Sequence, residues 1–234
     1  EHTLASPNFQ AVREAKDFPK HNREVLHAVL AKQYERLPEI KEVKKSLDRL
    51  ALPEAHSLTT GHQLNIMGGP MYTPYKVLTV AKLAAQLTKE NPKHPVVPVF
   101  WIHTEDHDFA EINHFYEGFG RKKQYKAPFE TATGRHILTD EIDALVPEHY
   151  TDILKEANTA GLTLAEATLR FAHALYGPYG VLVLDADHPD LKALFALVIE
   201  KELFDNFSEK AVNTQSQKLS EAGYPLQVHP REIN

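Results

Sequence analysis

The chain has 234 residues, of which 42% are hydrophobic and 25% charged. That is ordinary globular material, long enough for one large α/β domain or for a domain carrying an insertion. A formal charge of −6 argues against nucleic acid as a bulk electrostatic partner. The absence of cysteine excludes disulfides, thiolate metal ligands and a cysteine nucleophile from these residues. No apolar run is long enough to span a bilayer and no signal peptide is visible at Glu1, so a cytoplasmic protein with no membrane partner is expected. A start at Glu1 without methionine, and an end at Asn234 just after a strand-like stretch, read as the ends of a fragment.

Residues 1–50 read as a helical lead-in. Val25, Val29 and Leu30 recur at helical spacing, Pro38 interrupts, and Ile40, Val43, Leu47 and Leu50 mark a second helix. A short strand is expected over 56–60, running into a Gly/Pro-containing loop over 61–70. In the next helix Thr73 supplies a cap, Pro74 suits the first position, and Val77, Val80, Ala81, Ala84 and Leu87 form one apolar stripe that Asn91-Pro92 ends. Residues 96–102 read as a buried strand in which Pro98 is discordant. Strand, helix and strand in this order predict a right-handed βαβ unit, the seed of a parallel, doubly wound sheet. The loops after Thr60 and after Ile102 then both leave the carboxyl ends of their strands, where such sheets bind ligands.

Residues 114–160 are less regular. They read as a connecting insertion with hairpin strands over 114–126. Thr163 and Glu166 form a capping box for a helix through Leu175, stopped by Gly177-Pro178. Residues 181–184 read as a third core strand ending in Asp185-Ala-Asp187. A long helix is expected from Pro189 to Glu221, with Leu191, Phe195, Val198 and Phe204 pointing inward, followed by a last strand over 226–228.

Three groups of residues can carry chemistry. Gly68-Gly69 permits close backbone approach, and the helix that follows offers unpaired N–H groups to an anion. Lys76 in its first turn opposes the helix dipole by roughly 0.3–1 kcal/mol, a placement that an anionic ligand explains. The spacing matches neither the P-loop nor G-x-G-x-x-G, and the plain alternative is a glycine-rich turn with a solvated lysine. The second group is His103, Glu105, Asp106, His107 and Asp108, five titratable residues directly after a strand. They suit metal ligation, general-base work or an ammonium group, against the alternative of a polar loop with an Asp cap. The third is Asp185, at a strand end, with Asp187 as readily a helix cap as a ligand. Trp101 is expected in or beside the sheet, His136, His173 and His188 as structural or exposed, and Arg121, Lys122 and Lys123 as a solvated face.

Thr-Gly-His-Gln at 60–63, Gly-Pro-Met-Tyr-Thr at 69–73 with Lys76, Val-Pro-Val-Phe-Trp-Ile at 97–102, Glu-Asp-His-Asp at 105–108 and Glu-Ile-Asn at 111–113 resemble the bacillithiol cysteine-adding family. Weaker likeness continues through 182–187 and 223–228, so the resemblance covers most of the chain. It is to the amino-terminal part of longer proteins. His62 departs from the pattern, standing where a Gly-Gln-Gln run is usual.

The resemblance implies that residues 1–234 are the amino-terminal part of one Rossmann-like catalytic domain, similar to class I aminoacyl-tRNA synthetases. It implies inserted segments, and a helical coiled coil supporting a homodimer. The implied activity is a ligase joining the cysteine carboxylate to the amine of glucosaminyl-malate. Because a free carboxylate does not readily form an amide, ATP with Mg²⁺ is the expected activating cofactor. Lys76, Gly68 and Gly69 would then steady phosphates, and His62 and His103 would assist at developing charge. Glu105, Asp106 or Asp108 would bind Mg²⁺ or the ammonium group, with His107 in the same catalytic set and Asp106 and Asp108 the metal candidates. Gly61, Gln63, Tyr72, Thr73, Trp101, Asn113 and Asp185 complete the expected binding set. Two other readings stand beside this one. One is a metal-dependent hydrolase built on His103, Asp106, His107 and Asp185, for which no zinc spacing is present. The other is a non-catalytic nucleotide- or metabolite-binding module assembled through the helix at 189–221.

Overall fold

The computed structural model describes residues 11–12, 15–118, 120–128, 131–146, 149 and 151–228. Its contacts divide the chain into Glu1–His188 and Pro189–Asn234.

In the first unit two helices, α1 (Lys20–Tyr34) and α2 (Lys41–Leu50), precede the sheet. Each buries one stripe: Val29, Leu30 and Tyr34 from α1, and Val43 and Leu50 from α2. The joint between them is polar. The buried Arg23 guanidinium donates to the carbonyls of Leu50, Pro53 and Ala55 at 3.0, 3.3 and 3.0 Å. It thereby satisfies acceptors at and just beyond the end of α2 that the helix itself leaves open.

The sheet has three parallel strands in the order β1 (His56–Gln63), β2 (Val96–His103), β5 (Leu182–Asp185). Helix α3 (Tyr72–Glu90) joins β1 to β2, so the expected βαβ unit is present. Two short strands, β3 (His114–Glu117) and β4 (Arg121–Gln124), form a separate antiparallel pair in the inserted segment. Small helices α4 (Phe109–Ile112), α5 (Glu141–Leu145) and α6 (Asp152–Ala157) flank it. Helix α7 (Leu164–Tyr176) leads back to β5, and its start carries the reciprocal Thr163–Glu166 capping box.

Alternation along the strands divides the packing. Phe100 and Ile102 of β2 share one core cluster with Val77 and Ala81 of α3, Tyr176 of α7 and Val183 of β5. On the opposite face Val97 and Val99 are buried, but Trp101 and His103 are exposed. The sheet therefore opens on that face at its carboxyl end. Pro98 is tolerated because β5 begins pairing with β2 only at Val99.

Several expectations from sequence are corrected. The first strand extends to Gln63, and α3 starts at Tyr72 with Met71 at its N-cap. Thr73 caps nothing: it is buried inside the first turn with its hydroxyl unpartnered. In the second unit the long helix is three helices, α8 (Pro189–Ala193), α9 (Ala196–Asp205) and α10 (Phe207–Glu221). Asn206 breaks it by adopting left-handed backbone with φ of 48°, a conformation asparagine tolerates better than most residues. Leu191 is buried, whereas Phe195, Val198 and Phe204 are exposed. Residues 226–228 form no strand. Among the described residues no helix is long and apolar enough to cross a membrane.

Candidate functional site

The carboxyl ends of β1 and β2 collect most of the residues singled out in the sequence, and the strand period sorts them onto two sides. His62 lies on the α3 side. It is only 6% exposed, its ring stands 5.1 Å from that of Tyr72, and its Nε2 is buried without a hydrogen-bond partner. Burial, and then the neighbouring Lys76 ammonium, hold its pKa below the usual histidine value, so this imidazole is kept neutral. The Lys76 ammonium donates to the Gly61 carbonyl at 2.6 Å and lies 5.8 Å from the centre of the Tyr72 ring. One of its three N–H groups is thus committed, which leaves two for a ligand.

The glycines in this corner have packing reasons of their own. Gly68 and Gly69 both have positive φ, and a Cβ on either would strike Phe171 or Asn65 at 2.8 Å. A Cβ on Gly61 would meet His103 Nε2 at 2.6 Å, so His103 lies across β1 on the open face.

On that open side Gln63 donates to Glu111 Oε2 at 2.8 Å. Asp106 turns its carboxylate back on its own loop, where Oδ1 accepts the N–H groups of His107 and Asp108 at 2.7 and 3.1 Å. The bond from the Asp108 N–H is the largest of the effects that lower its pKa. Asp108 caps α4 through the Glu111 N–H at 3.1 Å. The acidic run is thus partly a self-bonded turn, with Glu105, His107 and Asp108 exposed around it. Asn113, just beyond α4, is buried with Oδ1 unpartnered.

The loops after β2 and β5 are joined by residues that sequence reasoning left out. Thr104 is 2% exposed and donates its hydroxyl to Asp185 Oδ1 at 2.6 Å. The turn at Thr133–Arg135 lies against the same loop, with the Thr133 N–H bonded to the Asp106 carbonyl at 2.7 Å and the Gly134 N–H to the Thr104 carbonyl at 2.8 Å. Arg135 then grips Asp187 through two bonds of 2.7 and 2.9 Å. Glu111 was legible within the resemblance motif, but neither Thr104 nor Arg135 carries a sequence signal of its own. Trp101 lies exposed on the open face, paired with Gly61 across the sheet.

Among the described residues no group of three or more His, Asp or Glu side chains is placed to hold a metal ion. Asp106 and Asp108 each spend one oxygen on backbone N–H groups. Magnesium needs only one or two carboxylates when a nucleotide supplies the rest. The spare oxygens of these residues suit that limited role but do not form a protein cage.

A parallel sheet with a helical crossover and polar loops gathered at its carboxyl edge is the arrangement of a Rossmann-like domain. Consistent with this, residues 3–234 match the family model described as the bacillithiol biosynthesis BshC N-terminal Rossmann-like domain, and the chain belongs to that family. It is 42% identical over 216 residues to a protein of Cytophaga hutchinsonii, covering 91% of this chain and 41% of the relative. It is 34% identical over 244 residues to one of Flavobacterium johnsoniae, with 99% and 45% covered. A third relative, from Chlorobaculum tepidum, is 30% identical over 251 residues, with 99% and 42% covered. All three bear the name "Putative cysteine ligase BshC". The chain spans less than half the length of these relatives.

Proposed function

We propose that this domain forms the carboxylate-activating half of a ligase that adds cysteine to the amine of glucosaminyl-malate. The observation that carries the reading is that the carboxyl ends of β1 and β2 place Lys76 beside the neutral His62 on one side and Gln63, Glu111 and Asp106 on the other. Membership in a family whose relatives are named as cysteine ligases supports the choice of reaction.

Amide formation requires that a carboxylate oxygen be made a leaving group. ATP, when bound, supplies the phosphoryl or adenylyl group that converts that oxygen into one. The residues present fit a polyphosphate at one point: Lys76 keeps two N–H groups available beside an unpartnered buried nitrogen of His62. Lys76 would steady negative charge. Neutral His62 would accept a hydrogen bond or a proton at Nε2, and Asp106 and Glu111 would hold an ammonium group or share a magnesium ion. Likeness to class I aminoacyl-tRNA synthetases, a coiled coil and a homodimer belong to the same proposal. Product formation by mass spectrometry tests it, using the full-length protein with cysteine and glucosaminyl-malate, with and without ATP and Mg²⁺. Bacillithiol formed only with nucleotide is the expected result. Product without nucleotide would remove the phosphate role of Lys76, and no product in either condition would overturn the ligase reading.

A further inference from the structure

Among the described residues β5 is the last strand on its side of the sheet, and an edge strand leaves backbone donors and acceptors unpaired. Here two consecutive residues at the end of α1 take their place. The Tyr34 hydroxyl oxygen accepts the Val183 N–H at 2.6 Å. Gln33 accepts the Asp185 N–H at 3.4 Å and donates to the Asp185 carbonyl at 2.7 Å, so one side-chain amide answers both backbone groups of that residue. From the β2 side, Thr104 donates to Asp185 Oδ1 at 2.6 Å, and the Asp187 N–H reaches the same oxygen at 3.0 Å. The backbone and one carboxylate oxygen of Asp185 are therefore fixed from two directions. Its other oxygen, Oδ2, has no hydrogen bond among the described residues, although Asp185 sits at a strand's carboxyl end, half-buried beside the Thr104 loop.

Two bonds to Oδ1 orient the Asp185 carboxylate and two more hold its backbone, so Oδ2 keeps its full capacity to accept a donor from a fixed position. We propose that Gln33 and Thr104 are positioning residues that present Asp185 Oδ2 to an N–H or O–H donor of the substrate. Gln33 lies more than 150 residues before Asp185 and outside every motif of the site, and acts only by holding the strand end. Thr104 acts only through its hydroxyl. The inference rests on the ligase reading, since it needs a substrate at this end of the sheet.

The test is steady-state ligation by the full-length protein, with melting temperature measured alongside, for wild type, Thr104→Val, Thr104→Ser and Gln33→Leu. Thr104→Val keeps the shape and removes the donor. Thr104→Ser keeps the donor and removes a buried methyl group. Loss of one oriented bond at a reacting site corresponds to about a tenfold fall in kcat/KM. Thr104→Val and Gln33→Leu are expected to fall by about that factor or more, while Thr104→Ser stays within about threefold of wild type even though its melting temperature drops. Wild-type kcat/KM in Thr104→Val, or equal impairment in Thr104→Ser, would overturn the proposal. If Thr104→Val does not fold, Gln33→Leu decides, and a loss confined to its melting temperature would overturn the proposal. An active wild type with unaffected variants removes this inference alone, whereas an inactive wild type removes the ligase reading and this inference together.

Discussion

Arg135 and Asp187 face one another through two parallel N–H···O bonds of 2.7 and 2.9 Å, although 52 residues separate them. The pair ties the inserted segment to the loop after β5. Because the same turn is bonded to Thr104 and Asp106 through backbone groups, three loops at the carboxyl end of the sheet are tied to one another. The hydrogen bonds that Arg135 donates to Asp187, ahead of simple charge attraction, favour the Arg135 cation. An exposed ion pair adds little stability, so its value lies in geometry, which a bidentate guanidinium supplies well.

Arg135→Ala should therefore leave the melting temperature nearly unchanged while loosening the turn. Hydrogen exchange at the Thr133 and Gly134 amides should speed up by about an order of magnitude, the signature of local opening rather than global unfolding. Unchanged exchange at both amides would show that the backbone bonds hold the turn without the ion pair.

Gly134 is fixed by contact rather than by backbone conformation. A Cβ there would stand 2.5 Å from Thr104 Cβ and 2.8 Å from the Thr104 carbonyl oxygen. Backbone must shift to accept it, at about 1–3 kcal/mol. For a domain of this size Gly134→Ala should lower the melting temperature by about 3–10 °C and reduce ligation by the full-length protein. A melting temperature equal to wild type would refute the close packing of the turn on the β2 loop.

Two buried histidines make stability depend on pH. Burial is the largest effect lowering the pKa of both His62 and His136 below the ordinary value of about 6.5. The folded state then binds fewer protons than the unfolded chain as pH falls through that range. Their contribution is complete above about pH 6.5 and is lost progressively on acidification toward the lowered folded-state values. Melting temperature measured between pH 7.5 and 5 should decline. The decline should be smaller in His136→Gln, which removes one of the two groups together with its 3.1 Å contact to the Tyr125 hydroxyl. An equal slope in both proteins would remove His136 from the account.

What could be read in the sequence was whatever depends on local pattern. The apolar stripe of α3, the Thr163–Glu166 capping box and the strand before His103 all follow from spacing within a dozen residues, and all three are present. The loops of Gly61 and His103 were placed together correctly because a βαβ unit allows little else. Relationships set by tertiary contact were not legible. Thr73 looked like a cap because of its type, yet the helix starts at Tyr72, two residues before the expected Pro74, and buries it. The break at Asn206 depends on a single left-handed residue inside an otherwise helical pattern. Thr104 stands between charged neighbours and Arg135 in an irregular stretch, and nothing local singles out either one. Their partners, Asp185 and Asp187, lie 81 and 52 residues away, and no periodicity spans such gaps.

The central claim is that the carboxyl ends of β1 and β2 are where ligation occurs, and replacement of Lys76 tests it most directly. Lys76→Met keeps the aliphatic stem against Tyr72 and removes only the ammonium that bonds the Gly61 carbonyl and is free to reach a phosphate. The measurement is the ligation rate of the full-length variant, with nucleotide affinity and melting temperature taken on the same preparation. The account predicts a fall in rate of about ten- to a thousandfold, with weakened nucleotide binding and a melting temperature within a few degrees of wild type. A folded Lys76→Met protein that ligates at the wild-type rate and binds nucleotide as wild type does would contradict it.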